Sequence, residues 1–302
     1  MDVNNLSDVL SANYMLVDMQ LRSWSGKRTD REASDELIAS KSATRDSGNF
    51  VKNLLASAGQ ELKEVHQMGN ALRTFVYNNT LPWSSSEGAK RGDRVLATVD
   101  SFRFLSELAG IKKEYDRAVI KLVTAWPQRV QEAMRNLGAL ADITDYPDAS
   151  SLPQMFSVTV DLKPIPAVSD FSRLNVPAAL ANELGKRHQL LAQSQVENAM
   201  KDMQTRIIEE LQRIHKQMTK VAAGEKTRLF DSLITNMQSL TGLAKSMNLT
   251  GNDKLQELVM KIESTIIHKP VAAYKDDQAA AAVLASTAQQ LATEAAMQEV
   301  FA

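Results

Sequence analysis

Hydrophobic positions follow two different periods along the chain, and each predicts a different element. Val17, Met19 and Leu21 alternate with Asp18, Gln20 and Arg22 up to Trp24. Phe156, Val158, Val160 and Leu162 alternate in the same way with Ser157, Thr159, Asp161 and Lys163. A period of two with β-branched residues predicts half-buried strands over 17–24 and 156–163, the second closed by Pro164 and Pro166. A lone strand leaves its backbone groups unpaired, so the two are expected to pair in one small antiparallel sheet.

Elsewhere the period is helical. Leu105, Leu108, Ile111, Tyr115, Val119, Leu122 and Trp126 form one apolar stripe. Pro127 should end or kink that helix, and Val130, Met134 and Leu137 carry the stripe on to a C-terminal cap at Gly138. The apolar positions from Phe50 to Phe75 predict one long helix, or two broken near Gly59. Trp83–Asp93 reads as a surface loop. Beyond Pro177, a helix over Ala178–Ala222 would be about 67 Å long. It carries Met200, Met203, Ile207, Leu211, Ile214 and Met218 at steps of three and four. Gly224 predicts the turn into a second stripe from Phe230 to Met247. Asn252 predicts the N-cap of a third helix through Leu255, Leu258, Val259, Ile262 and Ile266. The alanine-rich segment 279–302 is either a close-packed helix or a frayed one.

These elements define an α+β, mainly α-helical fold in three consecutive segments. Residues 1–175 form a helical unit with a small antiparallel sheet. Residues 176–268 form a long helical hairpin or coiled-coil-like bundle, and 269–302 an alanine-rich helix or tail. Composition supports this reading. Glycine and proline number only 12 and 8 in 302 residues, so long uninterrupted elements are favoured, and six of the prolines fall between Pro127 and Pro177. Apolar residues make up 44%, enough to bury a core. No apolar run reaches the length of a membrane span, and the polar start MDVNNLSDVL is unlike a signal peptide.

Charge and chemistry narrow the function classes. Lys+Arg 35 against Asp+Glu 36 creates no chain-wide field for nucleic acid or an anionic membrane. The absence of cysteine removes disulfides, thiolate metal sites and cysteine nucleophiles. Ala-Gly-Glu-Lys-Thr at 223–227 lacks the upstream glycine and the G-K-[ST] order of a phosphate-binding loop, so it reads as a linker. His66, His188, His215 and His268 are isolated in sequence and read as packing or surface residues. Asp142, Asp145 and Asp148 beside Pro147 read as turn chemistry, with a hard cation as the sharper alternative. No cofactor and no catalytic residue is expected.

Two binding features remain. Arg22, Trp24, Lys27 and Arg28 place an aromatic among three cations, as single-stranded nucleic acid requires for phosphate contact and base stacking. The second is a seam of Leu184, Leu191, Met200, Met203, Ile207, Leu211, Ile214 and Met218, methionine-rich and suited to an adaptable helix–helix contact. The longer helix outreaches the return arm at 228–250, which leaves the part toward Leu184–Met203 for another chain. The expected function is therefore a non-catalytic interaction protein, a homo-oligomer or bound to a partner protein. The alternative is a nucleic-acid-binding accessory factor for single-stranded DNA.

Leu137-Gly138, Asp145-Tyr146-Pro147, the strand from Phe156, Pro164-Ile165-Pro166 and Asp170-Phe171-Ser172-Arg173 form a series of short strings. With Trp24-Ser25-Gly26 and Leu81-Pro82-Trp83, the region of about 20–175 resembles a group of uncharacterised tailed-bacteriophage proteins. The resemblance implies a viral protein made in bacterial cytoplasm, in which setting the interaction reading becomes phage assembly and the alternative an accessory role in phage replication or recombination. It carries over no site residues.

Overall fold

The computed structural model describes residues 6–84 and 92–297. In chain order its elements are α1 (Leu6–Asn13), β1 (Tyr14–Arg22), β2 (Lys27–Asp30), α2 (Arg31–Ser40), β3 (Phe50–Asn53), α3 (Gln60–Asn79), β4 (Leu81–Pro82), β5 (Arg94–Ala97), α4 (Ser101–Leu137), β6 (Ser157–Pro164), α5 (Ala178–Ala222), α6 (Ser232–Ser246), α7 (Asp253–Thr265) and α8 (Gln278–Met297). Short 3-10 turns join several of them. The fold is α+β and mainly helical. Most of the loop expected between Trp83 and Asp93, residues 85–91, lies outside the described residues.

The chain divides into two compact units that alternate along the sequence. Met1–Met19, Phe75–Leu105 and Val160–Ala302 form one, and Gln20–Thr74 with Ser106–Thr159 form the other.

The first unit holds β4, β5 and most of β1 and β6, strands of a four-stranded sheet in the order β4-β5-β1-β6. The two alternating segments are neighbours in it, as their unpaired backbones require. Antiparallel pairing sets Tyr14 opposite Ala97 and Val17 opposite Arg94, and β4 joins β5 through Leu81 and Val95. Sequence periodicity missed β4 and β5, because two and four residues are too few to display a period. Trp24 lies beyond β1, which ends at Arg22.

Against this sheet is built one continuous apolar core, from Leu10 and Tyr14 through the inner face of α5 between Ala192 and Val221 to α8. α5 spans the 45 residues its pattern predicts and ends before Gly224, whose φ of +75° supplies the turn. Asn252 caps α7 by accepting the Lys254 N–H at 2.9 Å. The alanine-rich helix resolves as close-packed and is the helix most extensively packed on α5. Gln204 Nε2 donates to the Ala295 carbonyl at 2.7 Å, the His215 ring bonds the Ala285 carbonyl at 2.9 Å, and Gln278 packs on Gly224. Numbers rising on α5 thus meet numbers falling on α8, so the pair is antiparallel. Ala281, Ala285, Ala288, Ala292 and Ala295 are its buried small residues, and they let the backbones approach. Ion pairs of Lys245 with Glu263 at 2.6 Å and Lys261 with Glu294 at 2.5 Å stitch α6 to α7 and α7 to α8.

One buried polar group in this unit completes a helix end. The carbonyls of Tyr77 and Thr80, at the C-terminus of α3, accept from Arg206 at 2.8 and 3.3 Å. Arg94 adds bonds of 2.6 Å to Thr80 Oγ1 and 2.8 Å to the Thr80 carbonyl. Two guanidinium groups therefore satisfy carbonyls that the helix leaves open and oppose its dipole. Asp202 balances Arg206 at 2.6 Å. Burial, with the nearby Arg206 charge adding to it, pushes Arg94 down to about 10, so it remains charged at neutral pH.

In the second unit, β2 and β3 form an antiparallel pair with Lys27 opposite Asn53 and Asp30 opposite Phe50. This corrects the helix expected from Phe50 onward. The α-helix begins only at Gln60, after a 3-10 turn at Ala56–Ala58, and the Ser34 hydroxyl accepts the Phe50 N–H at 2.8 Å to fix the start of β3. α4 does not end at Pro127 but continues through it to Leu137, carrying the stripe on to Gly138. Proline costs an interior helix about 3 kcal/mol. Here Leu122, Trp126 and Ala133 are buried on both sides of it, while Pro127 faces solvent. Burial of those side chains offsets the lost backbone bond. Gly138, at φ +54°, terminates the helix as predicted.

Candidate interaction surfaces

The basic-aromatic segment is built where β1 leaves its sheet and the chain turns into β2. Gly26 makes the turn at φ +68°, where a side chain is strained, and a Cβ there would lie 2.6 Å from Leu62 Cδ2, which would have to move. Arg22 and Lys27 are exposed. Trp24 is half-buried, with its ring 5.4 Å from that of Trp126 in an edge-to-face contact. Its carbonyl is bonded to His66 Nε2 at 2.9 Å. Arg28 Nε reaches Asp145 Oδ1 at 2.9 Å. Two of the four residues proposed to touch nucleic acid are thus engaged within their own unit.

Arg28 also borders a cleft of about 920 Å³. At its base lies Lys52, almost fully buried. Its ammonium forms ion pairs with Asp145 Oδ2 at 2.6 Å and Asp30 Oδ2 at 2.8 Å and donates to the Leu140 carbonyl at 3.2 Å. Asp145 and then Asp30 raise the Lys52 pKa, and the bond from Lys52 holds Asp30 below the usual carboxylate range. The charged lining comprises Arg28, Arg31 and Lys52 against Asp30, Glu32, Glu36, Asp142 and Asp145. Five carboxylates to three cations make a poor surface for a phosphate backbone.

The aspartates of the Tyr146-Pro147 segment separate in role. Asp142 performs turn chemistry, accepting the Thr144 N–H at 2.9 Å, and the Asp148 carbonyl accepts from Ser151 at 3.0 Å. Asp145 is instead buried as the counter-ion of Lys52 and Arg28. Nothing in its local sequence distinguishes it from its neighbours; the one clue was a lysine inside a short apolar run at Val51-Lys52. Among the described residues no group of His, Asp and Glu is arranged to hold a metal ion. His66, His188 and His215 each bond a backbone carbonyl, at 2.9, 2.8 and 2.9 Å, so their rings serve packing. The 223–227 segment is the connection after α5. It borders a second cavity of about 840 Å³ with Lys226, Arg228 and Lys275 but also Glu225, Asp231 and Asp276.

The expected seam proves to be two surfaces. Met200, Met203, Ile207, Leu211, Ile214 and Met218 are all 0% exposed and belong to the core of their own unit. Leu191 is exposed and Leu184 half-buried. Helix geometry explains the split. Nine positions from Leu191 to Met200 are about two and a half turns, which places the two side chains on opposite sides of α5. α8, more than the short α6, covers the methionine face. Leu180, Leu184 and Leu191 are spaced by four and seven and share the other face, with Leu190 on its flank. Among the described residues no helix is long and apolar enough to cross a membrane.

Compared with known proteins, this chain matches no family model, no curated protein and no solved structure.

Proposed function

We propose that this protein is a non-catalytic interaction protein that assembles through the outer face of the first half of α5. The observation that carries this reading is the leucine stripe, with Leu180 45%, Leu190 68% and Leu191 55% exposed. Leu174 and Val176, just before the helix, extend the apolar surface in sequence and are exposed as well. Full burial of a leucine contributes roughly 1.5–3 kcal/mol. Covering the remaining exposed area of such a stripe on both copies contributes a few kcal/mol per chain toward association. In the setting implied by the tailed-phage resemblance, that assembly would take place in a bacterial cytoplasm.

The test is the solution mass as a function of protein concentration at low and high salt. Association is expected to rise with concentration and to survive 1 M salt, because the contact is apolar. Leu190→Glu with Leu191→Glu should leave a monomer of unchanged helix content. A wild-type chain that stays monomeric at high concentration, with or without single-stranded DNA, overturns the proposal. Assembly seen only with DNA and lost with salt would favour the nucleic-acid reading instead.

A further inference from the structure

We infer that the partner of this stripe is a second copy of the same chain, laid antiparallel along α5. The inference rests on the reading of α5 as an assembly face. Its basis is the self-complementary order of apolar and charged positions between Leu180 and Leu191. These two leucines lie on one face about 16.5 Å apart along the axis. Between them the same face carries Glu183 and Arg187, which pair within one copy at 2.8 Å and are both exposed.

In a parallel arrangement in register, Glu183 would face Glu183 and Arg187 would face Arg187 across the two-fold axis. Like charges directly opposed disfavour that arrangement. Turning one copy end for end changes the outcome. A register that sets Leu180 against the second copy's Leu191 brings the reciprocal leucine pair into contact as well, since a two-fold contact is made twice. Arg187 lies seven positions beyond Leu180, and Glu183 eight positions before Leu191. They therefore meet within one residue of level, an offset of about 1.5 Å. Two leucine pairs then flank four alternating charges, and the arginine stems cover the apolar surface between them. Beside this face the helix is packed within its own chain: Gly185 faces Val168, with 3.0 Å left for a Cβ, and on the flank of the stripe the His188 ring meets that of Phe171 at 5.2 Å in a tilted contact. The second copy thus has one face of α5 open to it.

The chain contains no cysteine, so introduced cysteines report direction without background. Full-length Leu180→Cys and Leu191→Cys variants, carrying tags of different mass, are oxidised separately and as a mixture. The expected result is a disulfide dimer in the mixture that joins the two variants, with neither variant cross-linking to itself. Cross-linking of Leu180→Cys to itself, or no cross-link in any sample while the wild type still associates, overturns the antiparallel pairing and leaves the assembly reading standing. A monomeric wild type overturns both. Mixing Glu183→Arg with Arg187→Glu supplies a second readout. Each variant alone should associate at least several-fold more weakly, and the mixture should recover. No recovery, in a mixture whose members keep wild-type helix content, also counts against the pairing.

Discussion

At the scale of single residues, Lys52 determines what its cleft can be. An ammonium this deeply buried needs its charge compensated, which Asp30 and Asp145 do, and the Leu140 carbonyl accepts one of its protons. Removing one buried partner leaves the other charge exposed to an apolar surrounding. Asp145→Ala should therefore cost about 3–5 kcal/mol of stability in urea unfolding, and Lys52→Met in the same background should recover much of it. A loss below about 1 kcal/mol for the single variant would mean that solvent reaches the lysine. Trp24 illustrates the limit of local reading. Its neighbours are cationic in sequence, yet its ring contacts Trp126, about a hundred residues away, and that long-range contact has no sequence signature.

At the scale of elements, α5 shows what periodicity reveals and where it misleads. Its length and its turn were legible, because 45 residues without proline or a breaking glycine pair allow one continuous helix. Its binding face was not, because a step pattern of three and four identifies a stripe without saying who covers it. Leu191 and Met200 separate these cases. Met200→Ala removes a fully buried side chain and should cost about 2–5 kcal/mol. Leu191→Ala, on the open face, should change monomer stability by no more than about 0.5 kcal/mol while weakening association. Thermal unfolding of dilute protein, with the solution mass measured in parallel, distinguishes the two. Equal destabilisation would place both side chains in one core. In α4, Pro127 carries a local helix-breaking cost, but burial of Trp126 and its neighbours outweighs it.

At the scale of the molecule, individual carboxylates of the two units should respond to acid in opposite ways. In the second unit, the forked bond from Arg129 holds Glu61 below its usual pKa, and Lys52 does the same for Asp30. A carboxylate with a depressed folded-state pKa stabilises fully above its unfolded value of about 4, and loses that contribution as pH falls through the folded value. In the first unit, Glu210 is raised by burial, with its Oε1 holding only a 3.5 Å ion pair to Arg213. Its sign is reversed: the protonated form is favoured in the fold, and stability falls as pH rises through the raised value. Glu210→Gln is thus expected to raise the denaturation midpoint at pH 7 and to have little effect below pH 4. Glu61→Gln should lower the midpoint at pH 7 and flatten the acid limb. A lower midpoint for Glu210→Gln at neutral pH would show that the Arg213 pair outweighs desolvation.

The sequence by itself determined the mainly helical class, the two longest strands and their adjacency, the extent of α5, and the turns at Gly138 and Gly224. Each follows from chemistry within a few residues: side-chain period, the need of strand backbones for partners, and the freedom of glycine at positive φ. Tertiary structure alone decided the rest. It joined segments distant in sequence into two interleaved units, made Phe50–Asn53 a strand by giving it Lys27–Asp30 to pair with, and buried Asp145 under Lys52. It also laid the alanine helix over the methionines of α5 and left the leucines of the opposite face uncovered. Which face of an amphipathic helix becomes core depends on the shape and position of every other element, information that no local pattern carries.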